Sequence, residues 1–310
     1  LSQQENLAAE DGRRVVLTDA ARRPIRLCED EARLPRDGNN VLLCLDAVIQ
    51  GYLQDAVGRA VREYEAKWGT GVVVDPQSGE VLAMCTAPSF DPARFGDVPA
   101  ERRLSKAVSV PYEPGSVMKP IFAAAAVDLG RMTWRTSIHC ENGTYRAKRG
   151  GRISDHHPYG KLSLAGVIVH SSNVGMAKVG EAMGNPRLHA VAEAFGFGSR
   201  TDIELPGESP GIVRPLEGSD DPPMRPWDGY SLRRVPFGQE ISVTALQLAM
   251  AFSSLANGGE LLQPRLVDRI YSPDGRLLWQ SRRRVVRRVL SPRVAAETLH
   301  VLSEVVERGT

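Results

Sequence analysis

The chain has 310 residues and a mass of 33.8 kDa, enough to bury a large core as one big domain or one domain with a small appendage. An apolar share of 42%, a charged share of 25% and a formal net charge of +2 are ordinary for a globular protein and predict no nucleic-acid partner. Four cysteines, Cys28, Cys44, Cys85 and Cys140, form no C-x-x-C or His/Cys cluster, so neither a metal site nor a disulfide scaffold is expected.

No signal peptide and no run of 18 apolar residues is visible, which leaves two readings: a soluble protein, or one whose membrane anchor lies outside these residues. Residues 1–40 are polar and rich in Arg, Asp and Glu, with one short strand expected at Val15–Thr18, and read as a linker or the tail of another module. Val41–Leu45 is strand-like. Asp46 then caps a helix expected to reach about Trp68, with Ile49, Leu53, Val57, Val61, Tyr64 and Trp68 as a core-facing stripe. Gly71–Asp75 and Glu80–Thr86 read as a hairpin around Pro-Gln-Ser-Gly. A short charged helix is expected around Ala100–Val108.

The next stretch, Tyr112-Glu113-Pro114-Gly115-Ser116-Val117-Met118-Lys119-Pro120, reads as a tight turn that feeds an apolar helix through Leu129, stopped by Gly130. Pro120 is tolerable only near a helix start, so Ser116 and Lys119 fall within the first turn, on one face. A serine hydroxyl becomes a nucleophile when a neighbouring base takes its proton, and a lysine amine serves if burial leaves it neutral. The helix N-terminus adds backbone N–H groups for a developing oxyanion. Ser-x-x-Lys by itself is a weak pattern, since composition alone gives about 0.4 occurrences in this chain. Its placement at the start of an apolar helix is what sets this one apart from a cap followed by a solvated lysine.

Thr136–Gly151 reads as loops and short strands, with turns at Asn142-Gly143 and Gly150-Gly151. Asp155-His156-His157-Pro158-Tyr159 tempts a metal reading, but adjacent histidines rarely reach one ion and no third ligand is in sight; a loop before a helix is the better reading. Ser163 caps a helix through Val169, and a second runs from Val174 to Met183. His170-Ser171-Ser172-Asn173 lies between them, polar groups that need partners or a purpose. Phe195–Pro236 is a long Gly- and Pro-rich connection. Ser242 is read as the cap of a helix over Val243–Leu255. Strands follow at Leu261–Ile270 and Arg276–Gln280, then a solvated strand or loop with five arginines between Arg282 and Arg288, and a last helix from Pro292 to Val306.

Tyr112–Pro120, followed about fifty residues later by His170–Met176, resembles the Ser-x-x-Lys and Ser-x-Asn motifs of the penicillin-binding transpeptidases. Asp75–Pro92, Ser154–Met176 and Pro236–Pro264 resemble further family segments. The likeness covers residues 41–310 and is nearest the class B, monofunctional, cell-division type. It implies an α+β fold of the serine beta-lactamase-like kind, an antiparallel sheet between helical layers, with residues 41–310 as the transpeptidase domain and residues 1–40 as a remnant of an N-terminal pedestal. It implies a serine acyl-enzyme that cross-links peptidoglycan stem peptides at the extracytoplasmic face of the inner membrane, inhibited by beta-lactams, with no cofactor. Ser116 is then the nucleophile and Lys119 its base. Ser171 relays a proton to the leaving group, and Asn173 holds Lys119 and the substrate amide. Divisome or elongasome membrane proteins are the implied partners, and an N-terminal membrane helix outside this chain the implied anchor.

Two departures stand out. No Lys-Thr-Gly, Lys-Ser-Gly or His-Thr-Gly occurs, so the chain reads as ending before the third motif's strand, and the membrane helix is absent. Glu240 also follows Gln239 where the family usually has glycine. The competing readings are a D,D-carboxypeptidase or beta-lactamase-like hydrolase, and a non-catalytic scaffold of the same fold within the wall-building machinery.

Overall fold

The structure is a computed structural model and describes residues 3–147, 151–220 and 223–309. In chain order its elements begin with α1 (Gln4–Leu7), β1 (Arg13–Thr18), β2 (Pro24–Arg33), β3 (Asn40–Leu43), α2 (Ala47–Glu63), β4 (Gly69–Val74) and β5 (Val81–Ala87). After a 3-10 turn at Pro92–Asp97 come the short helices α3 (Ala100–Arg103) and α4 (Lys106–Ser109), a 3-10 turn at Gly115–Met118, and α5 (Lys119–Asp128). Strands β6 (Ser137–His139), β7 (Thr144–Ala147), β8 (Gly151–Ser154) and β9 (Lys161–Ser163) precede α6 (Leu164–Val169), α7 (Asn173–Met183) and α8 (Asn185–Ala194). The two-residue strands β10 (Ser219–Asp220) and β11 (Pro223–Met224) and the turn of helix α9 (Ser231–Arg234) lead to α10 (Ala245–Ala256). The chain closes with β12 (Glu260–Leu262), β13 (Val267–Tyr271), β14 (Leu277–Gln280), β15 (Val285–Arg288) and α11 (Pro292–Arg308). Every pairing between these strands is antiparallel, so the architecture is α+β. Among the described residues no helix is long and apolar enough to cross a membrane.

The chain divides into two compact units. The first comprises residues 1–44, 204–206 and 265–282. In it β1 pairs with β2, and β13 pairs with both β14 and β3. The stretch expected to be largely irregular before residue 40 thus contains a hairpin, and the 272–275 turn with its flanking strands joins this unit although it lies far along the chain.

The second unit, residues 45–203, 207–264 and 283–310, contains the Ser-x-x-Lys and Ser-x-Asn segments. Asp46 caps α2 by accepting hydrogen bonds from the Val48 and Ile49 N–H groups. Leu53, Val57 and Val61 then lie on the glycines of β4: a Cβ at Gly71 would meet Leu53 Cδ1 at 2.7 Å, which is why the helix can come so close to the strand. The expected stripe stops short, because α2 ends at Glu63 and both Tyr64 and Trp68 are exposed. Two further boundaries move. The charged helix splits into α3 and α4 around Leu104 and Ser105. The cap of α10 is Thr244 rather than Ser242, in a reciprocal capping box with Gln247. Residues 185–194, to which the pattern assigns no element, form α8, whose Pro186 sits in the first turn where its missing N–H costs nothing. Gly150 of the expected Gly150-Gly151 turn lies outside the described residues.

The core of this unit is built around α5. Its residues from Lys119 to Val127 are all buried, in contact with a cluster that includes Leu164, Val167, Met176, Val179, Leu188, Phe195 and Phe237. A helix apolar on every side has no solvent face and must sit at the centre of its domain. That position carries the Lys119 amine into the interior, which its local sequence alone would not do.

Candidate active site

Ser116 lies in the 3-10 turn that runs directly into α5, and not inside the α-helix as the sequence suggests. The Lys119 N–H donates to the Ser116 carbonyl oxygen. In a 3-10 turn residues three apart eclipse one another, so the tighter winding aligns the hydroxyl and the amine more closely than an α-turn does. Ser116 is exposed, while Lys119 is only 2% exposed. The turn is held from below by Gly238, whose carbonyl oxygen accepts the Gly115 N–H at 3.0 Å. Gly238 has φ of 80°, and a Cβ there would stand 2.1 Å from the Gly115 oxygen. Only glycine satisfies both demands.

Lys119 Nζ donates to the Ser171 carbonyl oxygen at 2.5 Å and to Ser171 Oγ at 2.9 Å, across 52 residues of sequence. Ser171 adopts φ of 52°, a left-handed conformation at the junction between α6 and α7 that turns its oxygens toward the lysine. Burial lowers the Lys119 pKa from 10.5 to about 8, and the Asp155 carboxylate opposes that fall. A buried ammonium this close to neutral pH leaves about a tenth of the amine uncharged at pH 7.

Asp155 is the residue that sequence reasoning passed over. Its Oδ2 accepts the Ser172 hydroxyl at 2.6 Å and its Oδ1 accepts the Val174 N–H at 2.9 Å. Ser172 is itself the N-cap of α7, accepting from Gly175 N. The carboxylate thus completes the capping of α7, where an anion is favoured by the unpaired N–H groups. Asn173 Nδ2 donates to the Ser154 carbonyl oxygen at 3.0 Å, so its amide ties the same two segments together. Tyr159 stacks on His170, ring centroids 5.1 Å apart. The loop that tempted a metal reading is therefore a clasp over the Ser171–Asn173 junction. Among the described residues no group of three or more His, Cys, Asp and Glu side chains could hold a metal ion. A signal was present in the sequence: a carboxylate shortly before a polar helix junction is a capping partner in waiting, but which junction it serves is a tertiary fact.

Residues 69–310 match the penicillin-binding protein transpeptidase domain. The chain belongs to that family. It is 34% identical over 273 residues to the penicillin-binding protein PbpB of Mycolicibacterium smegmatis, covering 88% of this chain and 41% of the relative. It is 32% identical over 311 residues to the probable peptidoglycan D,D-transpeptidase PenA of Neisseria flavescens, covering 100% of this chain and 72% of that one. Among solved structures, penicillin-binding protein 3 of Mycobacterium tuberculosis complexed with aztreonam superposes with a TM-score of 0.79 at 33% identity, over 89% of this chain and 60% of that one. These relatives agree with the resemblance to class B penicillin-binding proteins of the division type. The chain spans about half the length of the first curated relatives it matches, 41% and 48%.

Within this penicillin-binding fold one feature is particular to the chain. Glu240, at the position where family likeness leads one to expect glycine, has φ of 64°. Its carboxylate pairs with Arg214 and accepts the Ser231 hydroxyl at 2.9 Å, while its N–H donates to Glu113 Oε1 at 2.8 Å. Those contacts offset a backbone strain of about 1–3 kcal/mol for a non-glycine residue there.

Proposed function

We propose that the protein is a serine D,D-transpeptidase that cross-links peptidoglycan stem peptides through an acyl-enzyme on Ser116. The observation that carries this reading is the buried Lys119 amine, hydrogen-bonded to Ser171 Oγ at 2.9 Å and one 3-10 turn along from Ser116. The names of the relatives, peptidoglycan D,D-transpeptidases among them, support it.

In this reading Ser116 Oγ attacks the carbonyl carbon between the two terminal D-alanines and its proton passes to neutral Lys119 Nζ. The tetrahedral adduct collapses with cleavage of the C–N bond. The departing amine takes its proton by way of Ser171, which Lys119 contacts directly. An amine from a neighbouring stem then attacks the ester and frees Ser116. The Ser116 N–H contributes to oxyanion stabilisation. Asn173 and Asp155 hold the junction that presents Ser171, and Asn173 also binds the substrate amide. A beta-lactam acylates the same serine by opening its ring, so no leaving group departs. An extracytoplasmic location, an N-terminal anchor outside this chain and membrane partners of the division or elongation machinery belong to the same reading.

The test is intact-mass analysis of the full-length protein after incubation with benzylpenicillin. One adduct on Ser116, persisting for minutes and lost in Ser116→Ala, is expected. Rapid release of hydrolysed drug would assign the protein to the hydrolases, and no adduct would leave a scaffold.

A further inference from the structure

A cavity of about 280 Å³ opens in the second unit between the C-terminal end of α8, the start of α10 and the β12–β15 ribbon. None of Ser116, Lys119, Ser171, Asn173 or Asp155 lines it. Its floor is apolar: Phe195, Met250, Leu261 and Leu262 are each at least 94% buried within the fold yet face the cavity. Its lining also carries three guanidinium groups, Arg200, Arg284 and Arg287, against one carboxylate, Asp202.

The ribbon is built irregularly at this point. Leu261 pairs with Arg287 and Leu262 with Val285, so Val286 is an extra residue with no partner across the ladder. In a regular strand successive side chains point to opposite faces. Here Leu261, Leu262 and Gln263 all line the cavity on one strand, and Arg284, Val286 and Arg287 on the other. A bulge re-aims side chains in this way. The opposite wall is pinned: Glu208 accepts hydrogen bonds from Thr201 N at 2.7 Å, Thr201 Oγ1 at 2.5 Å and Asp202 N at 3.2 Å. Gln247 Nε2 ties the Ser199 and Pro210 carbonyl oxygens at 2.7 and 2.8 Å. The walls are therefore held in place before any ligand arrives.

The guanidinium groups are not used up by the protein. Arg284 gives one N–H to Gln263 Oε1 at 2.9 Å and Arg287 gives one to the Glu193 carbonyl oxygen at 3.0 Å. A guanidinium has five N–H donors and keeps its charge at any physiological pH. An apolar floor with convergent fixed cations in a pocket near the lower size limit of small-molecule sites selects a ligand with an apolar body and an anionic head.

We propose that this cavity is a second binding site, separate from the serine cleft, for a small amphiphilic anion: a short aliphatic chain ending in a phosphate or carboxylate. The chain lies on Phe195, Met250, Leu261 and Leu262, and the head takes the spare N–H groups of Arg284 and Arg287. The proposal does not depend on the transpeptidase reading.

Octyl phosphate, octanoate, octyl glucoside and inorganic phosphate are the probes, titrated into the protein below their micelle concentrations by isothermal calorimetry. Saturable 1:1 binding of octyl phosphate or octanoate is expected, the stronger of the two identifying the head group, with the neutral glucoside and free phosphate at least tenfold weaker. Arg284→Gln with Arg287→Gln lowers the affinity at least tenfold. Val286→Trp, at a half-exposed position on the bulge, abolishes binding while leaving the circular dichroism unchanged. Prior acylation of Ser116 by penicillin leaves the titration unaltered, and so does Ser116→Ala. Absence of binding by either anion, equal binding by the neutral probe, full affinity in either the arginine or the Val286→Trp variant with its dichroism intact, or competition by penicillin would each overturn the assignment.

Discussion

The buried lysine makes the pH dependence of acylation the sharpest probe of this site. With a Lys119 pKa of about 8, about a tenth of the amine is neutral at pH 7 and about a hundredth at pH 6. If neutral Lys119 receives the Ser116 proton, the second-order rate of penicillin acylation should climb about tenfold from pH 7 to a plateau above pH 9. A lysine with its ordinary value of 10.5 would instead give a rate still climbing steadily at pH 10. Asp155→Asn tests the cause. The carboxylate is the charge that holds the Lys119 pKa up against burial, so removing it must move the midpoint down, below about 8. The height of the plateau should fall in the same variant, because the Asp155 carboxylate accepts hydrogen bonds from Ser172 and Val174 worth about 1.5–3 kcal/mol each and holds the Ser171 junction. Midpoint and plateau therefore separate the electrostatic role from the structural one. Stopped-flow acylation with a fluorescent penicillin between pH 6 and 10, on the full-length protein at constant ionic strength, measures both. A flat profile, a wild-type rate still rising past pH 9.5, or an upward shift in Asp155→Asn would refute the reasoning.

The same lysine has a thermodynamic signature. Its folded pKa lies below its unfolded one, so stability should rise as pH goes from about 8 to about 10.5, by about 3 kcal/mol, and that increment should vanish in Lys119→Met when urea melts of the two proteins are compared pH by pH. Gly238→Ala forces a Cβ to 2.1 Å from the Gly115 oxygen at a left-handed φ; we expect penicillin acylation to fall at least tenfold as the serine turn is displaced, and acylation at the wild-type rate would refute the support assigned to Gly238. His157 is exposed and touches the clasp only edge-on to Tyr159, at 6.0 Å between ring centroids, so His157→Ala should leave the acylation rate within about twofold of wild type. A larger loss would mean that the His156-His157 pair has a role beyond the clasp.

What was legible in the sequence is whatever depends on neighbours a few residues away. Asp46 capping α2, Ser163 capping α6, the β4–β5 hairpin and the all-apolar run after Lys119 are encoded by local chemistry, and each element forms near its expected place. The errors are of the same kind in reverse. Tyr64 and Trp68 continue a helical spacing, yet α2 stops at Glu63, because apolar periodicity marks a face and not an end. Gly184 was read as closing the helical segment, when it also opens α8 as its N-cap.

For the site, sequence alone placed Ser116 and Lys119 on one face, since three residues of chain fix their relation within narrow limits. It also marked Ser171–Asn173 as polar groups in want of partners. It could not say that those groups meet Lys119, which lies 52 residues away, nor that the carboxylate beneath the junction is Asp155. Those pairings follow from packing α5 and α7 into one core. That packing strips water from the Lys119 amine, and loss of hydration is what brings its pKa to about 8. Hydration belongs to the folded volume around a group, not to its neighbours in the chain, so the proton affinity on which the chemistry turns was set by tertiary structure.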